Sequence, residues 1–166
     1  MRATALMFGA AALTIPTIAE SATQPANGRA VTASSLVVTR VRDLDFGRIA
    51  IANTLGRVVI NPNTDARTRT GGTTLIGGGT PGAARFAVTG TPRALAQITV
   101  GPRPTLVRAG GTETMALAAL TLNGARLRRF TAAGTLNVRV GGTLVVAANQ
   151  AAGDYAGTFT VTVLYQ

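Results

Sequence analysis

The C-terminal segment alternates strictly between two kinds of side chain, and this pattern limits the fold more than any other feature. One face of residues 158–165 carries Phe159, Val161, Val163 and Tyr165, and the other carries Thr158, Thr160, Thr162 and Leu164. A period of two predicts a β-strand with one face on a core and a threonine-rich face in water. Such a strand needs sheet partners, so the rest of the chain must supply them.

Short segments of similar character recur along the chain between Gly, Pro, Asn and Thr residues. We predict strands over 36–41, 57–60, 85–89, 97–100, 136–140 and 143–147, with Gly141-Gly142 as a two-residue hairpin turn. Segment 114–122 also fits one helix face, but Gly110-Gly111 and Asn123-Gly124 at its ends favour a strand. A strand every ten or so residues predicts an all-β domain, most simply a β-sandwich.

The first segment, residues 1–22, has the composition of a secretory signal peptide. Arg2 precedes an apolar run over 3–15, Pro16 ends it, and Ala19 or Ala22 supplies a small residue for cleavage. The alternative is a membrane anchor, but the run is shorter than the roughly 20 residues that a span needs. We therefore expect an exported protein with no stable membrane insertion after cleavage, a flexible arm over 23–35 and a β-sandwich domain over 36–166.

The composition argues against most kinds of catalysis. The chain has no Cys and no His, and all sixteen of its basic residues are arginine. These absences remove Ser–His and Cys–His nucleophilic pairs, nearly all zinc sites and the lysine of a Schiff base or a P-loop. We expect no enzyme activity, no catalytic or cofactor-binding residues, no metal site and no cofactor.

The net charge of +10 raises the question of nucleic-acid binding. The arginines are scattered singly, apart from the cluster Arg126, Arg128 and Arg129, and seven aromatic residues are too few for a base-stacking platform. We therefore expect no nucleic-acid partner. Weak attraction to anionic envelope lipids or polysaccharide is the more plausible consequence of the charge.

Two short motifs suggest ligand sites but have simpler interpretations. Gly77, Gly79 and Gly82 match a dinucleotide fingerprint, yet an alternating strand rather than a helix follows them, which favours a hairpin loop. Asp43 and Asp45 could hold calcium, but the neighbouring arginines favour surface charges paired across a sheet.

Several blocks, taken together and in order, resemble a known secreted family. They are 44–49 (LDFGRI), 56–60 (GRVVI), 86–90 (FAVTG), 140–144 (VGGTL) and 153–165 (GDYAGTFTVTVLY). Over roughly residues 36–166 the chain resembles the family called domain of unknown function 4402. That family is related in pattern to spore coat protein U and to fimbrial subunits of the chaperone–usher type in Gram-negative bacteria.

The resemblance implies an immunoglobulin-like, pilin-like sandwich that lacks one strand of its own. In such pilins a periplasmic chaperone fills the gap first, and the N-terminal arm of the next subunit fills it in the fibre, by donor-strand exchange. By this resemblance Phe159, Val161, Val163 and Tyr165 border the assembly groove. The candidate donor residues are Ala26, Gly28, Ala30, Val31 and Ala33, which are smaller than the usual bulky donor residues.

The resulting hypothesis is a secreted structural subunit of a bacterial surface fibre or coat. Its partners would be other pilin-like subunits or itself, with a possible periplasmic chaperone and usher in transit to the cell surface. The alternative is a self-complete secreted or periplasmic sandwich that acts as a binding or envelope protein without polymerising. The two differ in whether the arm serves a neighbour.

Overall fold

The computed structural model describes residues 34–166, and every regular element in that range is a β-strand. The all-β prediction is therefore confirmed. The predicted signal peptide over 1–22 and most of the predicted arm lie outside the described residues. The strands, in chain order, are β1 (Val37–Arg42), β2 (Ile49–Ala50), β3 (Gly56–Ile60), β4 (Arg67–Gly71), β5 (Thr74–Leu75), β6 (Ala84–Thr89), β7 (Leu95–Gly101), β8 (Thr105–Arg108), β9 (Thr114–Leu122), β10 (Leu127–Arg129), β11 (Thr135–Val146), β12 (Tyr155–Ala156) and β13 (Thr160–Tyr165).

The largest sheet has eight antiparallel strands and curls into a half-barrel. Its main path runs β1-β6-β11-β9-β8-β12, and β3 and β4 join it through β11. The twelve-residue strand β11 connects these parts, because its first half pairs with β6, its second half with β3, and its middle with β9.

The predicted hairpin turn at Gly141-Gly142 is wrong. Both glycines lie inside β11, where Gly142 pairs with Ile60 on one side and with Leu120 on the other. Gly141 is needed for close approach, since a Cβ there would overlap the carbonyl oxygen of Ile60. The pair of glycines lets three neighbouring strands meet on β11.

Two smaller antiparallel sheets complete the fold. One has the order β10-β7-β13, and the other pairs β2 with β5. In β13 the predicted alternation is confirmed: Val163 is buried, Val161 and Tyr165 are half-buried, and Leu164 is exposed.

The core divides into two clusters on the inner face of the large sheet. In the first, Val88, Val138 and Val140 of the large sheet pack with Ile98 and Val163 of the three-stranded sheet, so two layers lie face to face. The second cluster joins residues of β3, β9 and β11 with Phe46 and Ala83, and its buried members are Phe46, Val58, Ile60, Ala83, Met115, Leu117, Leu144 and Val146. Irregular segments and short strands, rather than a long third layer, cover this second cluster.

Within 34–166, no helix has the length and apolar character that a bilayer span requires.

Candidate functional site

A groove of about 790 Å³ lies over the second core cluster. Its floor consists of Met115, Leu117, Leu144 and Val146, on the inner face of β9 and β11. These four side chains are at most 9% exposed, so the floor is nearly sealed. The groove thus has an apolar floor between two irregular walls.

The first wall is the segment 44–49 between β1 and β2. Asp45 and Gly82 form an antiparallel bridge, with N···O distances of 2.9 and 2.8 Å between their backbones. The Asp45 carboxylate then accepts a hydrogen bond from the Gly47 N–H at 2.7 Å. Gly47 has φ +68°, a left-handed conformation that glycine adopts without strain. The turn directs Leu44 and Phe46 toward the core.

Arg67 of β4 supports this wall from behind. Its guanidinium donates hydrogen bonds to the carbonyl oxygens of Phe46 at 3.0 Å, Arg48 at 3.2 Å and Ile76 at 2.8 Å. Backbone carbonyls outside regular strands need such donors when they are partly buried. One arginine therefore fixes two points of the irregular segment and a third point directly after β5.

Asp65 anchors the strand that follows Gly82. Its carboxylate accepts a hydrogen bond from the Ala83 N–H at 2.9 Å, and Arg85 and Arg139 approach it at 2.5 and 2.6 Å. Burial alone would raise the pKa of Asp65, but the hydrogen bonds from Ala83, Arg85 and Arg139 outweigh it and hold this pKa well below its ordinary value. Asp65 is therefore ionised in the folded protein across the physiological range.

The opposite wall is the segment 151–159, which leads through β12 into β13. The Tyr155 hydroxyl donates to the Ala151 carbonyl oxygen and accepts from Gln150 Nε2, both at 2.8 Å. The ring of Phe159 meets Phe86 edge to face, with centroids 6.4 Å apart. Leu106 of β8 lies beside this wall and packs against the floor.

Two strands beside the groove have unpaired edges within the described range. β1 pairs only with β6, and β13 pairs only with β7. At the groove, Arg40 and Asp43 at the end of β1 line the same cavity as Thr158 and Phe159 before β13. An unpaired edge presents backbone donors and acceptors to any additional strand.

The other ends of these two strands are joined by hydrogen bonds around Tyr165. Its hydroxyl accepts from the Thr91 N–H at 2.7 Å and donates to the Ser34 carbonyl oxygen at 2.9 Å. The Ser34 N–H donates to Thr91 Oγ1 at 2.8 Å. The start of β1 thus lies at the end of β13, so the two strands run in opposite directions.

With this geometry established, comparison with known proteins gives one result. The family described as Domain of unknown function (DUF4402) matches the chain over residues 36–165. The chain belongs to the DUF4402 family. Neither the curated proteins nor the solved structures give a significant match.

Two of the blocks that carried the resemblance form the two walls of the groove in this DUF4402 domain. The block 44–49 is the first wall, and the block 153–159 is the second. The segments lie more than 100 residues apart in the chain. The main path of the large sheet is β1-β6-β11-β9-β8-β12. The first wall continues from β1 at one end of this path, and the second wall contains β12 at the other end, so the two walls lie on either side of the floor.

The four residues predicted to border a groove occupy different places. Phe159 lines the groove directly. Val161, Val163 and Tyr165 lie on β13 in the three-stranded sheet, and their side chains belong to the first core cluster. The candidate donor residues Ala26, Gly28, Ala30, Val31 and Ala33 lie outside the described residues.

Several groove residues were not predicted from the sequence. Leu106, Met115 and Leu117 come from β8 and β9, whose alternation shows which side chains point inward but not what covers them. Arg67 gives no signal at all, since the segment RTRTG contains no apolar residue.

The two acids considered as a calcium site have local roles. Asp43 forms an exposed ion pair with Arg40 at 2.9 Å, three residues away on the same segment rather than across a sheet. Asp45 caps the turn at Gly47. No group of three or more potential ligand residues that could hold a metal occurs in the part of the chain that the structure describes.

Proposed function

We propose that this protein is an exported structural subunit of a bacterial surface fibre or coat, assembled by insertion of one subunit's N-terminal arm into the groove of another. The observation that carries the proposal is the groove itself. Its floor is apolar, and its rim includes Arg40 near the end of β1 and Thr158 and Phe159 directly before β13, the two strands whose edges are unpaired in the described range. A strand laid there would complete backbone pairing on either side.

The layered core supports the interpretation as an immunoglobulin-like sandwich that lacks one strand. Over the first cluster the three-stranded sheet packs on the large sheet, as the two layers of a sandwich do. Over the second cluster that layer stops, and the groove lies where it would continue. One further strand beside β13 would extend the second layer over the floor.

The arm over 23–35 has suitable length and side chains for this place. Thirteen extended residues reach about 40 Å, roughly twice the length of a six-residue strand such as β13. Because the floor is nearly sealed, the incoming strand needs little side-chain volume. The small residues of one phase, Ala26, Gly28 and Ala30, meet that requirement, and backbone hydrogen bonds then supply most of the affinity.

This role implies a route and a set of partners. The subunit would cross the inner membrane by its signal peptide and meet other pilin-like subunits or copies of itself. A periplasmic chaperone, followed by an usher, would protect the groove until assembly, since unpaired edges beside apolar surface invite aggregation.

A direct test is electrophoresis of surface extracts with and without heating. Cells producing the full precursor with its native secretion neighbours should give a ladder of multimers in SDS that collapses to one band on heating. Removal of residues 23–33 should abolish the ladder and leave the monomer. A single band in every wild-type sample, heated or not, would exclude this proposal in favour of a self-complete envelope protein whose arm serves no neighbour.

A matched pair of leucine variants locates the contact surface. Leu106 lines the groove, whereas Leu164 is 59% exposed on the outer face of β13. We expect Leu106→Gln to weaken the ladder strongly, because a polar amide would lie under the inserted strand without a partner. Leu164→Gln should leave it unchanged, and equal effects of both would place assembly elsewhere.

A further inference from the structure

The groove is acidic at its rims, although the molecule is strongly basic. The chain has six acidic residues, and three of them line the groove: Asp43, Asp45 and Asp154. Of the fourteen arginines within residues 34–166, only Arg40 and Arg48 line it. The lining therefore carries one more negative than positive charge in a protein of net charge +10.

The three acids differ in how far they are already engaged. Asp43 is paired with Arg40, and the Asp45 carboxylate accepts the Gly47 N–H. Asp154 makes no ion pair or side-chain hydrogen bond with any residue in the range 34–166, although its backbone carbonyl accepts the Ala109 N–H at 2.8 Å. It is exposed and stands on the second wall, directly before Tyr155. Asp154 is thus the carboxylate free to meet an incoming charge.

The arm carries the complementary charge. Within 23–35, Arg29 is the sole charged residue. In an extended strand it alternates with Gly28 and Ala30, so these small residues can face the floor while Arg29 points away from it. A guanidinium placed outward can reach a rim carboxylate without being buried.

We propose that the groove accepts the arm of a second copy of this chain in one register, with Arg29 of that copy paired to Asp154 at the rim. The inference rests on the proposed function and adds the residue pair that sets the position of the inserted strand. Small floor-facing residues specify register weakly, because a slip by two residues keeps the same face inward. A charge pair at the rim removes that ambiguity.

The position of Ser34 favours a second copy over the chain's own arm. Ser34 is held by Thr91 and Tyr165 at the far end of β1, away from the end that lines the groove. To enter its own groove the arm would have to reverse direction next to Ser34. Residues 31–33, directly before Ser34, contain no Gly, Pro, Asn, Asp or Ser, the residues that dominate tight turns.

Charge reversal in the full precursor tests the pair. The variants are Arg29→Glu, Asp154→Arg and the double variant, each scored by the rate at which SDS-stable multimers dissociate on heating. An exposed ion pair corresponds to about 1.4- to fivefold in rate, and reversal adds repulsion, so each single variant should dissociate at least about twofold faster. The double variant should return to the wild-type rate, because the pair is restored with opposite polarity.

The matched control is Glu113→Arg. Glu113 forms an ion pair with Arg108 at 2.9 Å, as Asp43 does with Arg40, but it does not line the groove. We expect this control to dissociate at the wild-type rate. Arg29→Glu leaves the sequence of the domain over 36–166 unchanged, so its effect does not depend on how the domain tolerates Asp154→Arg.

The outcomes separate the two proposals. A wild-type ladder whose dissociation rate is unchanged in both single variants would overturn the Arg29–Asp154 pair and leave strand exchange intact. A double variant whose multimers dissociate as fast as those of the faster single variant would also overturn the pair and leave strand exchange intact. Absence of any ladder in the wild type would overturn both proposals, and a ladder-free monomer with a protease-resistant arm would assign the arm to its own groove.

Discussion

Asp65 holds the segment that bridges to the first wall of the groove. Its carboxylate bonds to Ala83, next to the Gly82–Asp45 bridge, and to two arginines on neighbouring strands. Asp65 has φ +62°, a conformation that Asn tolerates as well as Asp. Asp65→Asn therefore removes the charge without changing the backbone. We expect it to lower the free energy of unfolding by about 1–3 kcal/mol in urea titrations at neutral pH.

The pH dependence of that difference follows from the direction of the Asp65 pKa shift. Because the folded-state pKa lies below the unfolded value, the stabilisation is complete above the unfolded pKa, about 3.9, and is lost as the pH falls toward the folded pKa. The difference in the free energy of unfolding between wild type and Asp65→Asn should thus be largest at pH 7 and should decrease progressively below pH 4. Asp43→Asn, at an exposed pair, should change little at either pH. A gap that widens in acid would contradict this account.

At the scale of elements, β11 is the strand that holds the large sheet together, and Gly141 is its most constrained position. A Cβ at Gly141 would overlap the Ile60 carbonyl oxygen and lie 2.9 Å from Pro62 N, and backbone atoms cannot move aside as a flexible side chain can. We expect Gly141→Ala to cost about 1–3 kcal/mol. A Cβ at Gly77 meets nothing within 4 Å, so Gly77→Ala should be close to neutral. Equal stability of the two variants in thermal unfolding would show that β3 does not pair closely with β11.

The longer strands with an apolar face could be predicted from the sequence, whereas the four-residue strand β8, although its side chains alternate, and the polar strand β4 could not. Segment 114–122 coincides with β9, and the predicted alternation of the last strand matches β13. β4 was missed because its arginines and threonines look like a polar loop. In the structure, pairing with β3 holds β4 in the sheet, and the hydrogen bond from Arg67 to the Phe46 carbonyl oxygen ties β4 to the first wall.

The groove could not be predicted from the local sequence pattern, for a different reason. Period two tells which side chains face inward but not which strand lies opposite, and the walls and floor come from distant segments. The Gly141-Gly142 pair shows the same limit. Two adjacent glycines usually indicate a turn, but here they allow close approach of β3 and β9.

At the scale of the whole molecule, the second core cluster is less completely covered than the first. One cluster lies between two sheets, and the other is closed by irregular walls that leave a groove of about 790 Å³. If the arm of another copy covers the groove, as we propose, the protein should gain stability from that contact. Its stability would then depend on concentration, as for any folded state that is stabilised by binding.

We therefore expect the melting temperature of the purified mature protein to rise with protein concentration. Binding that saturates the groove at 100 times its dissociation constant would stabilise the fold by about 2.7 kcal/mol, because only the folded state binds. The same protein without residues 23–33 should melt at a lower temperature that does not change with concentration, since it keeps the groove but has no arm to donate. The measurement is differential scanning calorimetry over a hundredfold range of concentration for both proteins. A melting temperature of the intact protein that is independent of concentration, together with a loss on removing the arm, would mean that the arm covers its own domain.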